Sequence, residues 1–425
     1  MTFLAKETND RWHRAAWWLC VVTLPWAIVA NNVALIFLTL VWIAEGGFQK
    51  KWKQFKTAKW AWPFLLYYML LMVGMAYTTE PSTGWASVER KIPFLILPII
   101  ATTARTIDER SFRFLKQSFI YSCLAVTLVC ISVAAYHYLY GSTAENFDAY
   151  TLQNFDALHP GVPTAWMHFS YIQLAKWAGL HPGYLSMYLV FCLVILFTEN
   201  HQSNTGKIVH AIIACFIVGF LALLAIRMAI IAFFCAAIYL IIIKKTLKNQ
   251  LQSVASIAGA SFILAFLLWL NPVARFRVIE EPLTTTYQAD KSVIQWNSVS
   301  YRLLEWEGSW SVIKANWLVG VGTGGGEAAM SNFYNHFNGS TIGLGLNAHN
   351  QFLQTWMEYG LVGLVLFSLC LWAGLYPMRF EPAYACFILI FSLMCLTESV
   401  AERQKGIIFF MVFQSLFLSS TKKGK

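Results

Sequence analysis

Residues 208–243 read IVHAIIACFIVGFLALLAIRMAIIAFFCAAIYLIII, a run whose only formal charge is Arg227. As one helix rising about 1.5 Å per residue it would reach about 54 Å, nearly twice the roughly 30 Å hydrocarbon core of a bilayer. The run must be two spans, and Arg227 is the polar place to break it. An arginine in such a setting costs a few kcal/mol at mid-bilayer, and such residues face a cavity or a partner. Its bland alternative is a snorkelling side chain at a span end.

The whole chain follows the same pattern. Hydrophobic residues make up 58% and charged residues 12% of 425, where soluble chains carry about a quarter charged. This predicts an all-α polytopic membrane protein, a single integral membrane domain over 1–425. Eighteen Trp and 18 Tyr suit interfacial belts. The nine cysteines lie in apolar runs without CxxC or Cys/His clustering, so neither a disulfide framework nor a zinc site is expected. Apolar sequence continues from Ala15 to Ala44, which reads as retained spans rather than a cleaved signal.

About twelve spans can be placed. Two short ones share 15–44, turning at Asn31-Asn32 with Pro25 as a kink. Others cover about 61–77, 92–104, 117–140, 182–198, the two halves of 208–243, 253–270, 350–375, 381–397 and 407–420. An even number puts both termini on one side. That side then holds 20 of the 31 Lys and Arg residues, including the lysines of 50–59, as the positive-inside rule asks of a cytoplasmic face. The formal charge of +10 is thus mostly topology, and no nucleic-acid partner is expected. Two long outer loops result, approximately 141–180 and 271–348. Loops of that length are commonly functional.

Sidedness also gathers chemistry. Arg90, His181, Arg227, Arg302, His349, Glu398, Glu402 and Arg403 all fall at the outer face. Arg227 carries a planar fork that matches phosphate oxygens bidentately. His349 sits in an Asn-Ala-His-Asn turn opening a span, where an imidazole can serve as a general base or simply pack. Arg302 is either a partner for an anion or a surface arginine pairing with Glu305 or Glu307. Gly320, Gly322, Gly324, Gly325 and Gly326 lack the context of a phosphate-binding loop; they suit a turn or close backbone packing. Asn338-Gly339-Ser340 fits a glycosylation sequon and carries no weight.

In span order these features resemble the O-antigen ligase/O-antigen polymerase superfamily. The resemblance rests on Arg302…NWLVGVGTGG followed by NAHNQFLQTWMEYGLVGL. It is supported by Arg227 opening a span, Arg90-Lys91, HPGYLSMYL at 181–189, and LTESVAERQKGIIFF at 396–410. One departure is Ile226, where the family usually has a serine before the arginine.

The resemblance implies a membrane glycosyltransferase of GT-C-like architecture in a bacterial inner membrane, with periplasmic loops and active site. It implies transfer of a glycan from undecaprenyl diphosphate to an acceptor hydroxyl. The acceptor expected of a ligase is lipid A–core, with inversion and no metal or other cofactor. In that reading His349, Arg227 and Arg302 are catalytic. Arg90, His181, Tyr184, Asn350, Glu398 and Arg403 bind substrate, with Arg90 also a candidate for the diphosphate. The alternatives are an O-antigen polymerase on the same donor, a protein O-oligosaccharyltransferase, and a lipid or polysaccharide transporter. The last is disfavoured by the absence of an internal duplication between the two halves.

Overall fold

The computed structural model describes residues 3–104, 107–140, 162–176, 179–199, 204–246, 251–287, 297–334, 347–375 and 381–420. The sequon, the C-terminal TKKGK and residues 141–161 of the first long loop lie outside them. The described residues are almost entirely helical.

The chain opens with α1 (Phe3–Val22) and α2 (Ile28–Ala44), followed by α3 (Phe48–Thr57), α4 (Trp62–Gly74), α5 (Pro81–Arg90), α6 (Ile92–Thr103) and α7 (Glu109–Tyr140). The turn between the first two helices is at Thr23–Ala27 and includes Pro25, not at Asn31-Asn32. Proline lacks the N–H that would continue the helix. Asn31 stays buried inside α2 because its side-chain oxygen accepts from Lys405 Nζ at 2.8 Å, and Asn32 accepts from Gln404.

Next come α8 (Pro182–Thr198), α9 (Asn204–Leu224), α10 (Arg227–Thr246) and α11 (Leu251–Leu270). The long apolar run of 208–243 does break, at Ala225-Ile226, with Ala225 at a φ of 50°. Arg227 is the first residue of α10. The stretch 271–348 is more than a loop. After short helical turns over Pro272–Thr284 it forms α12 (Ser298–Ala315) and α13 (Gly326–Tyr334). The chain closes with α14 (Gln351–Trp372), α15 (Pro382–Met394) and α16 (Gln404–Ser420).

Three described helices are long and apolar enough to cross a bilayer: Glu109–Tyr140, Asn204–Leu224 and Gln351–Trp372. Two further pairs qualify as bent spans, Ile28–Ala44 with Phe48–Thr57 at 113° and Val254–Leu270 with Pro272–Thr284 at 97°. Pro182–Thr198, Arg227–Ile243, Pro382–Met394 and Gln404–Ser419 are shorter apolar helices. The chain is a multi-pass membrane protein.

Its centre is α8, buried around its whole circumference from Pro182 to Leu196 and packed on α7, α9, α10 and α15. A helix that is apolar all round belongs inside a bundle. Phe191 of α8 meets Phe413 of α16 with ring centroids 4.8 Å apart, and Phe119 of α7 meets the same ring at 4.9 Å. Both are edge-on contacts, the arrangement aromatic quadrupoles favour.

The Gly-rich turn has a definite use. Helix α14 is interrupted at Gly360, whose φ of 64° and ψ of −166° leave the helix. Segment 317–323 fills the break. Val321 N–H donates to Met357 O at 3.0 Å, Gly322 N–H to Glu358 O at 2.9 Å, and Leu361 N–H to Trp317 O at 2.9 Å. Gly320, at φ 75°, lies against the Glu358 backbone where a Cβ would overlap it. Backbone groups freed by the interruption are thus satisfied by another segment, as they must be at membrane depth.

Candidate functional site

His349 is positioned by its own turn. Its backbone takes the left-handed region at φ 39°, which costs a non-glycine residue energy and persists where the surroundings hold it. The holding contacts are local. Asn347 Oδ1 accepts the His349 N–H at 2.9 Å, and Gln354 Oε1 accepts the Ala348 N–H at 3.0 Å. Asn350 is the N-cap of α14, its side chain accepting from Phe352 and Leu353 N–H. That satisfies donors the first helical turn would leave bare.

Around the imidazole stand two carboxylates. Nδ1 lies 3.3 Å from Glu398 Oε2, and Nε2 lies 3.8 Å from Glu305 Oε1. Burial lowers the affinity of His349 for a proton. The hydrogen bond and charge of Glu398, with the charge of Glu305, outweigh burial and raise its pKa. Burial pushes Glu398 up, but His349, His181 and Arg302 bring it down to about 2, so it is ionised at neutral pH.

Of the three arginines expected to meet a diphosphate, Arg227 and Arg302 are engaged within the protein. Arg227 ion-pairs with Glu281 and donates to the Arg277 carbonyl and to Ser298 Oγ, the last at 3.2 Å. Glu281 arrives there because the chain turns 97° after α11; its Oε1 also accepts from Ser298 N and Oγ. Arg302 donates to the carbonyls of Ser298 at 2.8 Å and Thr397 at 3.1 Å, rather than to Glu305 or Glu307. Ser298 therefore joins Arg227 to Arg302, and Arg302 ties α12 to the segment carrying Glu398. Asn297 starts α12 with a reciprocal capping box through Ser300, which fixes where Ser298 sits.

Beside this cluster opens a cavity of about 420 Å³. Arg90, His181, Tyr184 and Arg403 line it, together with Asn347, Glu327, Glu358 and Glu402. Arg227, Arg302, His349 and Glu398 are not in its wall. The link between the two parts is Asn347, which lines the cavity and receives the His349 N–H.

His181 N-caps α8 through Nδ1, accepting from Gly183 N–H at 3.2 Å; burial lowers its pKa against the pull of Glu398. Among the described residues Arg90 Nε and the Tyr184 hydroxyl are buried without a hydrogen-bond partner, and neither Arg90 nor Arg403 has an ion-pair partner. Glu327 faces both guanidinium groups, and burial raises its pKa despite them. Lys91, by contrast, is fully buried and paired with Glu402 at 2.7 Å.

Glu281, Ser298, Glu327 and Glu358 are site residues that sequence reasoning passed over, and Glu305 entered it only as a surface partner for Arg302. Glu358 had a usable signal, a lone carboxylate in an apolar run. The others lie in polar stretches where nothing singles them out.

Residues 210–368 match the family model described as O-antigen ligase. The match covers α10, α12, the Gly-rich turn and the His349 turn, and stops short of Glu398 and Arg403. No curated protein matches the chain.

Proposed function

We propose, for a chain that belongs to the O-antigen ligase family through residues 210–368, that it transfers a glycan from undecaprenyl diphosphate to a lipid A–core hydroxyl. Its class is the O-antigen ligase/polymerase type of membrane glycosyltransferase. The ligase reading adds twelve spans in a bacterial inner membrane, cytoplasmic termini and a periplasmic site, and it needs no metal.

One observation carries the reading. An imidazole held by an ionised carboxylate stands beside a polar cavity lined by two guanidinium groups that have no ion-pair partner among the described residues. Glycosyl transfer needs both features. The acceptor hydroxyl must lose a proton as it attacks, which suits a base near neutral pKa. The departing diphosphate gains negative charge, which preorganised cations stabilise.

His349 is the base, with Glu398 fixing its tautomer so that Nε2 meets the acceptor. Arg90 and Arg403 take the diphosphate, and Tyr184 and His181 complete that wall. Arg227 and Arg302 do not reach the phosphates directly. They brace α10, α12 and the 397–398 segment around the imidazole. Attack from the face opposite the diphosphate inverts the anomeric carbon.

Purified protein incubated with carrier-linked glycan and separate acceptors tests this. Product on lipid A–core supports the ligase; a lengthened ladder on the carrier means a polymerase, and glycan on a protein means an oligosaccharyltransferase. No transfer to any of them, with the carrier-linked glycan crossing the bilayer, means a transporter.

A further inference from the structure

His349 has a carboxylate on each ring nitrogen, and only one of them is explained by orienting it. Glu398 reaches Nδ1 from the segment after α15. Glu305 reaches towards Nε2 from the middle of α12. Glu305 is 2% exposed, and its second oxygen, Oε2, is buried with no hydrogen-bond partner among the described residues. Burying an ionised carboxylate with an unpartnered oxygen is costly, and orienting the imidazole, which Glu398 already does, does not require it.

The charged and titratable groups facing it are Arg302 on its own helix, His349 and Glu398 across from it, and Tyr334 of α13. Burial raises Glu305 to about 7, with His349 and Arg302 opposing and Glu398 adding to the rise. Glu398 stays ionised through the neutral range, whereas Glu305 exchanges its proton there.

We propose that Glu305 receives the acceptor's proton through His349. The step rests on the transferase reading above. The acceptor oxygen bonds to the anomeric carbon as the bond from that carbon to the diphosphate oxygen breaks, and the diphosphate leaves with the electron pair. The acceptor proton moves to Nε2 of His349 and from there to the Glu305 carboxylate, restoring the neutral imidazole. Glu305 acts through His349 and does not touch the sugar.

The test is the pH profile of transfer by the full chain in lipid nanodiscs, comparing wild type with Glu305→Gln, Glu305→Asp and His349→Ala. Glu305→Gln is expected to lower kcat about tenfold or more, leave the donor KM within about twofold, and remove one ionisation from the profile. Glu305→Asp is expected to keep that ionisation at a shifted pH, and it decides the matter if the Gln variant does not fold. A Gln variant with wild-type rates, or with a profile lowered evenly at every pH, overturns the relay. An inactive His349→Ala beside a normal Glu305→Gln overturns the relay alone. A fully active His349→Ala removes the transferase reading and the relay with it.

Helix α3 carries an independent feature. Its sequence, FQKKWKQFKT, holds four lysines and no acid, and it turns 113° away from α2. The buried side is Lys51 and Phe55, with Lys51 bound to Glu45 at 3.0 Å and to the Trp42 carbonyl at 2.6 Å. Phe48 and Trp52, both about half exposed, flank that side. At helical spacing Lys50 and Lys53 point the opposite way, and Lys56 lies 5.2 Å over the Trp52 ring.

We infer that α3 lies in the plane of the membrane interface with Phe48 and Trp52 at the acyl boundary and Lys50, Lys53 and Lys56 on anionic phospholipid headgroups. Such a basic amphipathic face is attracted to an anionic surface through each cation it presents. Thermal unfolding in phosphatidylcholine nanodiscs, with and without an equal part of phosphatidylglycerol, tests it. Phosphatidylglycerol is expected to raise the wild-type Tm, and the combined Lys50→Gln, Lys53→Gln, Lys56→Gln variant is expected to lose most of that rise. An equal rise in both proteins, or none in either, overturns the assignment.

Discussion

His349 Nδ1 and Glu398 Oε2 lie 3.3 Å apart, joining the turn that opens α14 to the segment that follows α15. Because Glu398 raises the His349 pKa, neutralising it has a signed effect. A base acts when unprotonated, so the rate rises with pH through the imidazole pKa. Glu398→Gln lowers that pKa, and the acidic limb of the rate profile moves to lower pH while the maximum rate falls about 10-fold or more. Steady-state transfer across pH 5 to 8 (roughly the range of histidine titration) checks both changes.

Arg227 and Glu281 form a second pair, each at most 22% exposed. Removing one partner leaves the other charge stranded, at roughly 3–5 kcal/mol for a buried pair. Arg227→Ala and Glu281→Ala should each lower the unfolding temperature in detergent, and the double variant should lose less than their sum. Arg227→Lys should fail too, because one ammonium cannot serve Glu281, Ser298 and the Arg277 carbonyl at once. Additive losses would contradict the pairing.

The stitched break in α14 gives a steric prediction. Gly360→Ala puts a Cβ into the Leu318 carbonyl, whereas Gly46→Ala, at a similar φ of 65°, meets nothing within 4 Å. Both hold a positive φ that an L side chain rarely adopts, but Gly360, with ψ at −166°, lies in an essentially glycine-only region, and only Gly360→Ala meets a clash as well. Gly360→Ala should lower yield and Tm well beyond Gly46→Ala.

Arg90 and Arg403 should govern the donor. Each charge-assisted hydrogen bond contributes about 1.5–3 kcal/mol, so Arg90→Gln or Arg403→Gln is expected to weaken binding of an undecaprenyl diphosphate by about 10- to 100-fold. Lipid binding to the purified protein checks this directly, and an unchanged affinity would exclude the cavity as the diphosphate site.

The helices were legible because apolar runs bounded by charge have few other folds in a bilayer. Arg227 marked the break in 208–243 to within two residues, since no other place there tolerates one. Asn31-Asn32 misled because a polar pair resembles a turn; the groups that satisfy it, Lys405 and Gln404, lie far along the chain. Asn350 is a helix N-cap, a role that an asparagine just before an apolar helix signals in the sequence. The Arg227–Glu281 pair and the insertion of 317–323 at Gly360 could not be read. Both depend on where a distant segment docks, which neither hydropathy nor spacing records.

The central claim is that His349 activates the acceptor hydroxyl. The most direct measurement is transfer of carrier-linked glycan to lipid A–core by purified His349→Ala, alongside its affinity for the donor. Donor binding is expected within about twofold of wild type, with transfer reduced by about 100-fold or more. Wild-type transfer by a folded, donor-binding His349→Ala protein would contradict it.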